Sequence, residues 1–179
     1  DCDEPFVVIH PGARRWYKSW PLDRFARIAD MVAKKFGMRV IIAGGSEDVV
    51  RCAELSGVCN EKVCNLAGKL TLPELCALIE RGVCLIGNDS APIHIATALG
   101  TPALALFGPT NWRHWYPRRS HDMTFAAELP CRPCGHGNPI KPSMPIPEAG
   151  TVRPSPRLRY RYRQVPCGFP AYPHRQDRR

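Results

Sequence analysis

Apolar residues along the chain follow two alternating patterns. Phe6-Val7-Val8-Ile9 is a short, continuous, β-branched run, the mark of a strand buried on both faces. After His10-Pro11-Gly12-Ala13 and a loop rich in Arg, Trp and Lys, Pro21 opens a different pattern. There Leu22, Phe25, Ala29, Val32 and Phe36 recur at spacings of three and four, one helical stripe. Lys34 and Lys35 suit its last turn and Gly37 its end. The alternation repeats. Arg39-Val40-Ile41-Ile42-Ala43 reads as a strand, followed by Gly44-Gly45-Ser46 and a helix from about Glu47 to Leu55. Val63-Cys64-Asn65-Leu66 is a weaker strand, and Thr71-Leu72-Pro73-Glu74 a capping box opening a helix to about Arg81. Val83-Cys84-Leu85-Ile86 is the fourth strand. Asn88-Asp89-Ser90 opens a helix through Leu99, closed by Gly100, and Ala103-Leu104-Ala105-Leu106-Phe107 is the fifth strand. Continuous apolar strands alternating with amphipathic helices predict a parallel sheet covered on both faces, in a Rossmann-like, doubly wound α/β fold.

Charge divides the 179 residues. Residues 1–117 carry 13 basic and 12 acidic side chains, whereas residues 118–179 carry 12 and 4; of the formal net charge of +9, all but one unit lies in the second part. Proline follows the same division, with 11 of 19 after Pro117. The sequence therefore predicts a globular domain over 1–117 and a basic, Pro/Arg-rich tail over 118–179, partly or wholly disordered. No apolar run approaches the ~18 residues of a membrane-spanning helix, and the acidic start Asp1-Cys2-Asp3-Glu4 does not read as a secretory signal. Cys52, Cys59, Cys64, Cys76 and Cys84 lie in or beside apolar segments, as small hydrophobes do. The expectation is free thiols in a reducing cytoplasm.

Ligands of such a sheet bind at the carboxyl ends of its strands. The segments there are His10 to Lys18, Gly44 to Asp48, Ala67 to Lys69, Gly87 to His94 and Gly108 to Trp112. They combine small residues, which let a ligand approach the backbone, with polar and basic ones, and helix N-termini present free N–H groups to anions. A phosphate-bearing ligand fits this layout. The GxGxxG fingerprint of dinucleotide enzymes is absent, which argues against NAD or FAD. Asp89 and Ser90 suit either a plain N-cap, bonding the free N–H groups themselves, or a site for a diphosphate with His94 one turn on. Lys18 lies just before a helix start, where a cation is unfavourable unless an anion joins it. Glu47 follows the second strand, where an acidic side chain either steadies its own helix or meets ribose hydroxyls.

Two motifs taken together, His10-Pro11-Gly12-Ala13…Lys18-Ser19-Trp20-Pro21 and Asn88-Asp89-Ser90-Ala91-Pro92-Ile93-His94…Gly100-Thr101-Pro102…Phe107-Gly108-Pro109-Thr110, resemble glycosyltransferase family 9, the ADP-heptose:lipopolysaccharide heptosyltransferases. The resemblance covers residues 5–117, with a trace to Cys134. It implies the C-terminal, donor-binding half of a GT-B enzyme with two Rossmann-like domains. It implies that Lys18 neutralises the donor diphosphate, that Gly12 and Ala13 approach the phosphates, and that Asp89, Ser90 and Ala91 hold the sugar–phosphate end with His94 close by. Glu47 would serve the ribose. The implied donor is ADP-heptose, with no cofactor and no metal. The implied acceptor is the lipopolysaccharide core, met at the cytoplasmic face of the inner membrane, and no nucleic acid is expected. Many members carry Gly where this chain has Ala91, so a positive φ there would strain the alanine. The family's acceptor site and catalytic carboxylate belong to its N-terminal domain, which this sequence does not match. The expectation is therefore a fragment that binds donor and lacks the base. Alternatives are another nucleotide-sugar transferase, a GT-B-like epimerase domain, or a basic protein binding nucleic acid or anionic lipid through its tail. In that tail Cys131, Cys134 and His136 are weak zinc candidates, with Cys167 or His121 as further ligands. Their incomplete spacing favours a disordered tail, and Met123 to Ala127 reads as one more edge strand.

Overall fold

A computed structural model describes residues 4–127 and 152–154 of the chain. Its strands are β1 (Phe6–His10), β2 (Arg39–Ile42), β3 (Val63–Asn65), β4 (Cys84–Asn88), β5 (Ala103–Phe107), β6 (Met123–Ala127) and β7 (Val152–Pro154). The helices are α1 (Leu22–Phe36), α2 (Val49–Val58), α3 (Leu72–Arg81), α4 (Ala91–Leu99) and the single turn α5 (Trp112–Trp115). One sheet forms in the order β3-β2-β1-β4-β5-β6-β7. Its first six strands are parallel, and β7 pairs antiparallel with β6. This is the doubly wound order, with the chain running outward from β1 to β3 and then returning to the centre at β4.

The central strands are largely apolar because both faces are covered. Val7, Ile9, Val40 and Ile42 pack with Phe25, Ala29, Cys52 and Leu55, from α1 and α2. Val8, Leu85, Ala103 and Ala105 pack on the opposite face with Ile79, Ile93 and Ala96, from α3 and α4. Val7 and Val8 thus face different layers, as the two-residue period of a strand requires. Among the described residues no helix is long and apolar enough to cross a membrane.

The helix ends largely follow the sequence. Gly37 (φ 62°) and Gly100 (φ 89°) adopt the left-handed conformation that closes α1 and α4. Glu74 accepts from the Thr71 backbone N–H at 2.8 Å and from its hydroxyl at 2.6 Å, so the capping box forms. The expected helix from Glu47 differs. Ser46–Asp48 is a separate 3₁₀ turn and α2 starts at Val49. Asp48 accepts from the Gly45 N–H at 3.2 Å, which tightens that turn.

Beyond Pro117 the sheet continues. β6 pairs with β5 on one side and β7 on the other, so it is not an edge strand. Asp122, just before it, is buried and accepts from the Ala103 N–H (3.0 Å) and the Arg119 N–H (3.1 Å), with the Thr97 hydroxyl, which reaches the Ile93 carbonyl at 3.0 Å, 3.3 Å from its carboxylate. One carboxylate thereby joins the start of β5 and the turn into β6, beside the end of α4. Most of the expected tail lies outside the described residues.

Candidate functional site

The connection after β1 leads toward β2 and the one after β4 toward β5, so the loops at their carboxyl ends part and leave a crevice. His10 ends β1 and pairs in register with Gly87 near the end of β4. A Cβ on Gly87 would lie 2.9 Å from the His10 carbonyl oxygen, so glycine is what lets the two strands meet here.

The loop from His10 to Trp20 is long, and two side chains from elsewhere fix it. Asn88 is fully buried at the end of β4. Its Nδ2 donates to the carbonyls of Pro11 (2.7 Å) and Gly12 (3.3 Å), and its Oδ1 accepts from the Trp20 N–H (3.0 Å). Arg51, on α2, donates from Nε to the Pro11 carbonyl (2.9 Å) and from its guanidinium to the Trp20 carbonyl (2.7 Å). Both ends of the loop are therefore held by groups that answer its backbone polar atoms. Neither Asn88 nor Arg51 was a sequence candidate. Asn88 lay inside the quoted motif, but periodicity says nothing about partners this far apart in the chain.

Within this frame Trp16–Lys18 form a 3₁₀ turn, and the Lys18 Nζ donates to Asp89 Oδ2 at 2.7 Å. Asp89 is buried, and the Lys18 side chain is about a quarter exposed (26%). Two residues singled out separately in the sequence thus form one ion pair across the crevice. The conflict expected of Lys18 near a helix start is relieved by this carboxylate. Asp89 does not cap α4, and neither does Ser90. Ser90 is the N-cap, but it makes no side-chain cap bond, and its hydroxyl donates to the Asn88 carbonyl at 3.1 Å. Of the two readings of Asp89 and Ser90 the side-chain cap is absent; Pro92 has no N–H and the Ile93 N–H donates to the Ser90 carbonyl at 3.2 Å, so the Ala91 N–H is what the positive end of α4 presents beside the ion pair. Ala91 is the first helical residue and is exposed, so it needs no positive φ and its methyl group is unstrained. His94 lies one turn on, exposed.

The second wall is the turn after β2. Asp48 Oδ2 lies 3.6 Å from His10 Nε2, and the Asp48 carboxylate packs against the Cα of Gly12, where a side chain would collide with it. His10 is buried, and its Nδ1 has no hydrogen-bond partner. Burial holds the His10 pKa below its usual value, against the opposing pull of Asp48. Ala13, half-buried, follows Gly12 on the same loop. Glu47 is exposed on the Ser46–Asp48 turn and within 3.4 Å of its neighbour's hydroxyl, free of the interior. Lys18, Asp89, Ser90, Gly12 and Ala13 therefore meet at the β1–β4 crevice, and Glu47 stands on its β2 side. The arrangement sets a partly exposed ammonium, the buried carboxylate that holds it and a helix start without a side-chain cap side by side.

Among the described residues no group of His, Cys, Asp and Glu could hold a metal ion. Cys131, Cys134, His136 and Cys167 lie outside the described residues, and His121 is exposed at the turn into β6. Cys52 is buried and Cys59, Cys64, Cys76 and Cys84 are half-buried, all free thiols. Burial pushes the Cys52 thiol up to about 12 and Cys84 to about 11, which makes both poor nucleophiles.

Comparison with known proteins agrees with this architecture. Lipopolysaccharide heptosyltransferase 3 of Escherichia coli K12 is 43% identical over 124 residues, which are 68% of this chain and 36% of that protein. Lipooligosaccharide heptosyltransferase 2 of Haemophilus influenzae is 32% identical over 120 residues, 64% of this chain and 34% of that protein. Among solved structures, the E. coli ADP-heptose lps heptosyltransferase II superposes with a TM-score of 0.67 at 26% identity, covering 73% of this chain and 40% of that one. The glycosyl transferase family 9 structure from Veillonella parvula gives 0.65 at 29% identity, covering 69% and 36%. The chain thus spans less than half the length of the relatives it matches. The family model for glycosyltransferase family 9 (heptosyltransferase) matches residues 1–143, and the chain belongs to that family.

Proposed function

We propose that this domain binds the nucleotide-sugar donor of an inverting heptosyl transfer, with ADP-heptose as donor and a lipopolysaccharide core sugar as acceptor. The observation that carries the reading is the Lys18–Asp89 ion pair beside the uncapped start of α4, at the point where the strand order reverses. A solved relative at 26% identity is described as an ADP-heptose lps heptosyltransferase, which supports the choice of donor.

In this reading the donor diphosphate enters between Lys18 and the Ala91 N–H at the start of α4, since Pro92 has no N–H and the Ile93 N–H donates to the Ser90 carbonyl at 3.2 Å. It takes over the ammonium that Asp89 now holds. The Asp89 carboxylate is then free to accept from hydroxyls of the sugar. Ala13 lets the phosphates approach the loop backbone and Glu47 faces the ribose, whereas Gly12, expected to do the same as Ala13, is buried and is glycine because the Asp48 carboxylate fills the space of a side chain. During transfer the bond between the anomeric carbon and the phosphate oxygen breaks, and charge develops on the departing ADP. Lys18 and the helix dipole stabilise that charge, an electrostatic contribution already in place before the reaction. The acceptor oxygen bonds to the opposite face of the anomeric carbon. Its proton passes to a general base outside residues 4–127, so the domain binds donor but does not complete the transfer by itself.

Calorimetric titration of ADP, UDP and GDP into the full chain tests this. Selective binding of ADP is expected, weakened about tenfold or more by Lys18→Ala. Equal affinity for all three nucleotides, or binding indifferent to Lys18, would contradict it.

A further inference from the structure

Two loops at the carboxyl edge carry an unusual surface that donor binding does not use. The first, Arg14 to Tyr17, belongs to the same turn as Lys18. The second surrounds α5, from Gly108 to Tyr116. They touch, since a Cβ on Gly108 would lie 3.1 Å from the Tyr17 carbonyl oxygen and 3.5 Å from the Lys18 Cα. Between them they hold Arg14, Arg15 and Arg113, all exposed, and neither loop contains an acidic residue. Each also exposes an indole, with Trp16 70% and Trp115 55% accessible. Arg113 lies over the Trp112 ring, 5.3 Å from its centre, so its guanidinium is held at the surface by stacking.

We propose that this rim is an acceptor subsite on the donor domain, binding a phosphorylated saccharide. The inference rests on the donor reading above. Exposed indoles suit the apolar C–H face of a sugar ring, which buries area against them without ordering a flexible side chain. Guanidinium groups suit phosphate oxygens, which they bind in a fork. Position selects the acceptor over other anions. Trp16 and Lys18 share one 3₁₀ turn, so a sugar seated on Trp16 lies next to the departing diphosphate.

The test uses the full chain and a lipid-free phosphorylated core oligosaccharide released from lipopolysaccharide. The same oligosaccharide after chemical dephosphorylation is the matched control. Wild type should bind the phosphorylated form about tenfold more tightly than the control. Trp16→Ala and Arg113→Ala should each weaken that binding about fivefold or more, with folding intact by circular dichroism and ADP affinity unchanged within about twofold. Binding of ADP without the oligosaccharide, equal binding of its two forms, or binding that survives both substitutions would overturn the subsite and leave the donor reading standing. Loss of ADP binding in wild type would remove both. Anionic phosphatidylglycerol vesicles and a single-stranded oligonucleotide complete the experiment. If either binds through Trp16 and Arg113 more tightly than the oligosaccharide, the rim is a lipid or nucleic-acid surface and the proposal is wrong.

Discussion

The two ends of α4 each hold a buried carboxylate, and the two do different work. Asp122, beside its C-terminal end, accepts from the buried Ala103 N–H and from the Arg119 N–H, both backbone donors fixed in place. Asp89, at its N-terminal end, pairs with the ammonium of a partly exposed lysine from a loop 71 residues away. The first carboxylate is saturated by groups that cannot leave. The second is held by a group that can turn to another anion. Burial alone does not separate a structural acid from a functional one; the kind of donor it faces does.

Substitutions can sharpen that contrast. Asp122→Ala should have the largest effect on stability, about 3 kcal/mol, because it leaves the buried Ala103 N–H without an acceptor and unties the turn at Arg119 from β5. Urea denaturation measures it, and the folded fraction should keep its affinity for ADP. Asn88→Ala should follow, costing about 2 kcal/mol by removing the buried one of the two clamps on the Lys18 loop and leaving only Arg51. Unlike Asp122→Ala it should also impair ADP binding, because the loop that carries Lys18 is held by one clamp instead of two. Asp89→Asn should change stability by only about 1 kcal/mol, as its partner is partly exposed. It should nevertheless shift the affinity for a donor sugar more than that for ADP. If Asp89→Asn proves as destabilising as Asp122→Ala, the contrast fails.

The smallest effect concerns pH. Burial keeps the folded-state pKa of His10 below 6.5, so the unfolded chain takes up its proton more readily. The stability that neutral His10 contributes is full above about pH 6.5 and is lost as pH falls through the lowered folded value. Urea midpoints measured between pH 7.5 and 5.5 should fall less in His10→Gln than in wild type. Asp48→Asn should make the fall steeper, since that carboxylate is what now favours the charged ring.

The parallel sheet, its two helical layers and the loops at its carboxyl edge were legible in the sequence, because strand continuity and helical stripes are local signals. Lys18 and Asp89 were legible as a motif pair, though not as partners. What stayed hidden is what long-range side chains do. Asn88 and Arg51 clamp the first loop, Asp48 joins His10 and Gly45, and Asp122 ties the turn at Arg119 to β5. Periodicity cannot report such bonds, since a polar residue at a strand end looks the same whether it faces water or a buried carbonyl. Ser90 shows the opposite limit. It stands where a cap belongs, but its hydroxyl bonds backward to Asn88 and leaves the helix start open.

The claim that Lys18 and the start of α4 receive a diphosphate is tested most directly by titrating ADP and AMP into wild type and Lys18→Ala. The account predicts that wild type prefers ADP about tenfold and that the preference nearly vanishes in Lys18→Ala, with AMP affinity little changed. A preference for ADP that persists without Lys18, or no preference in wild type, would contradict it.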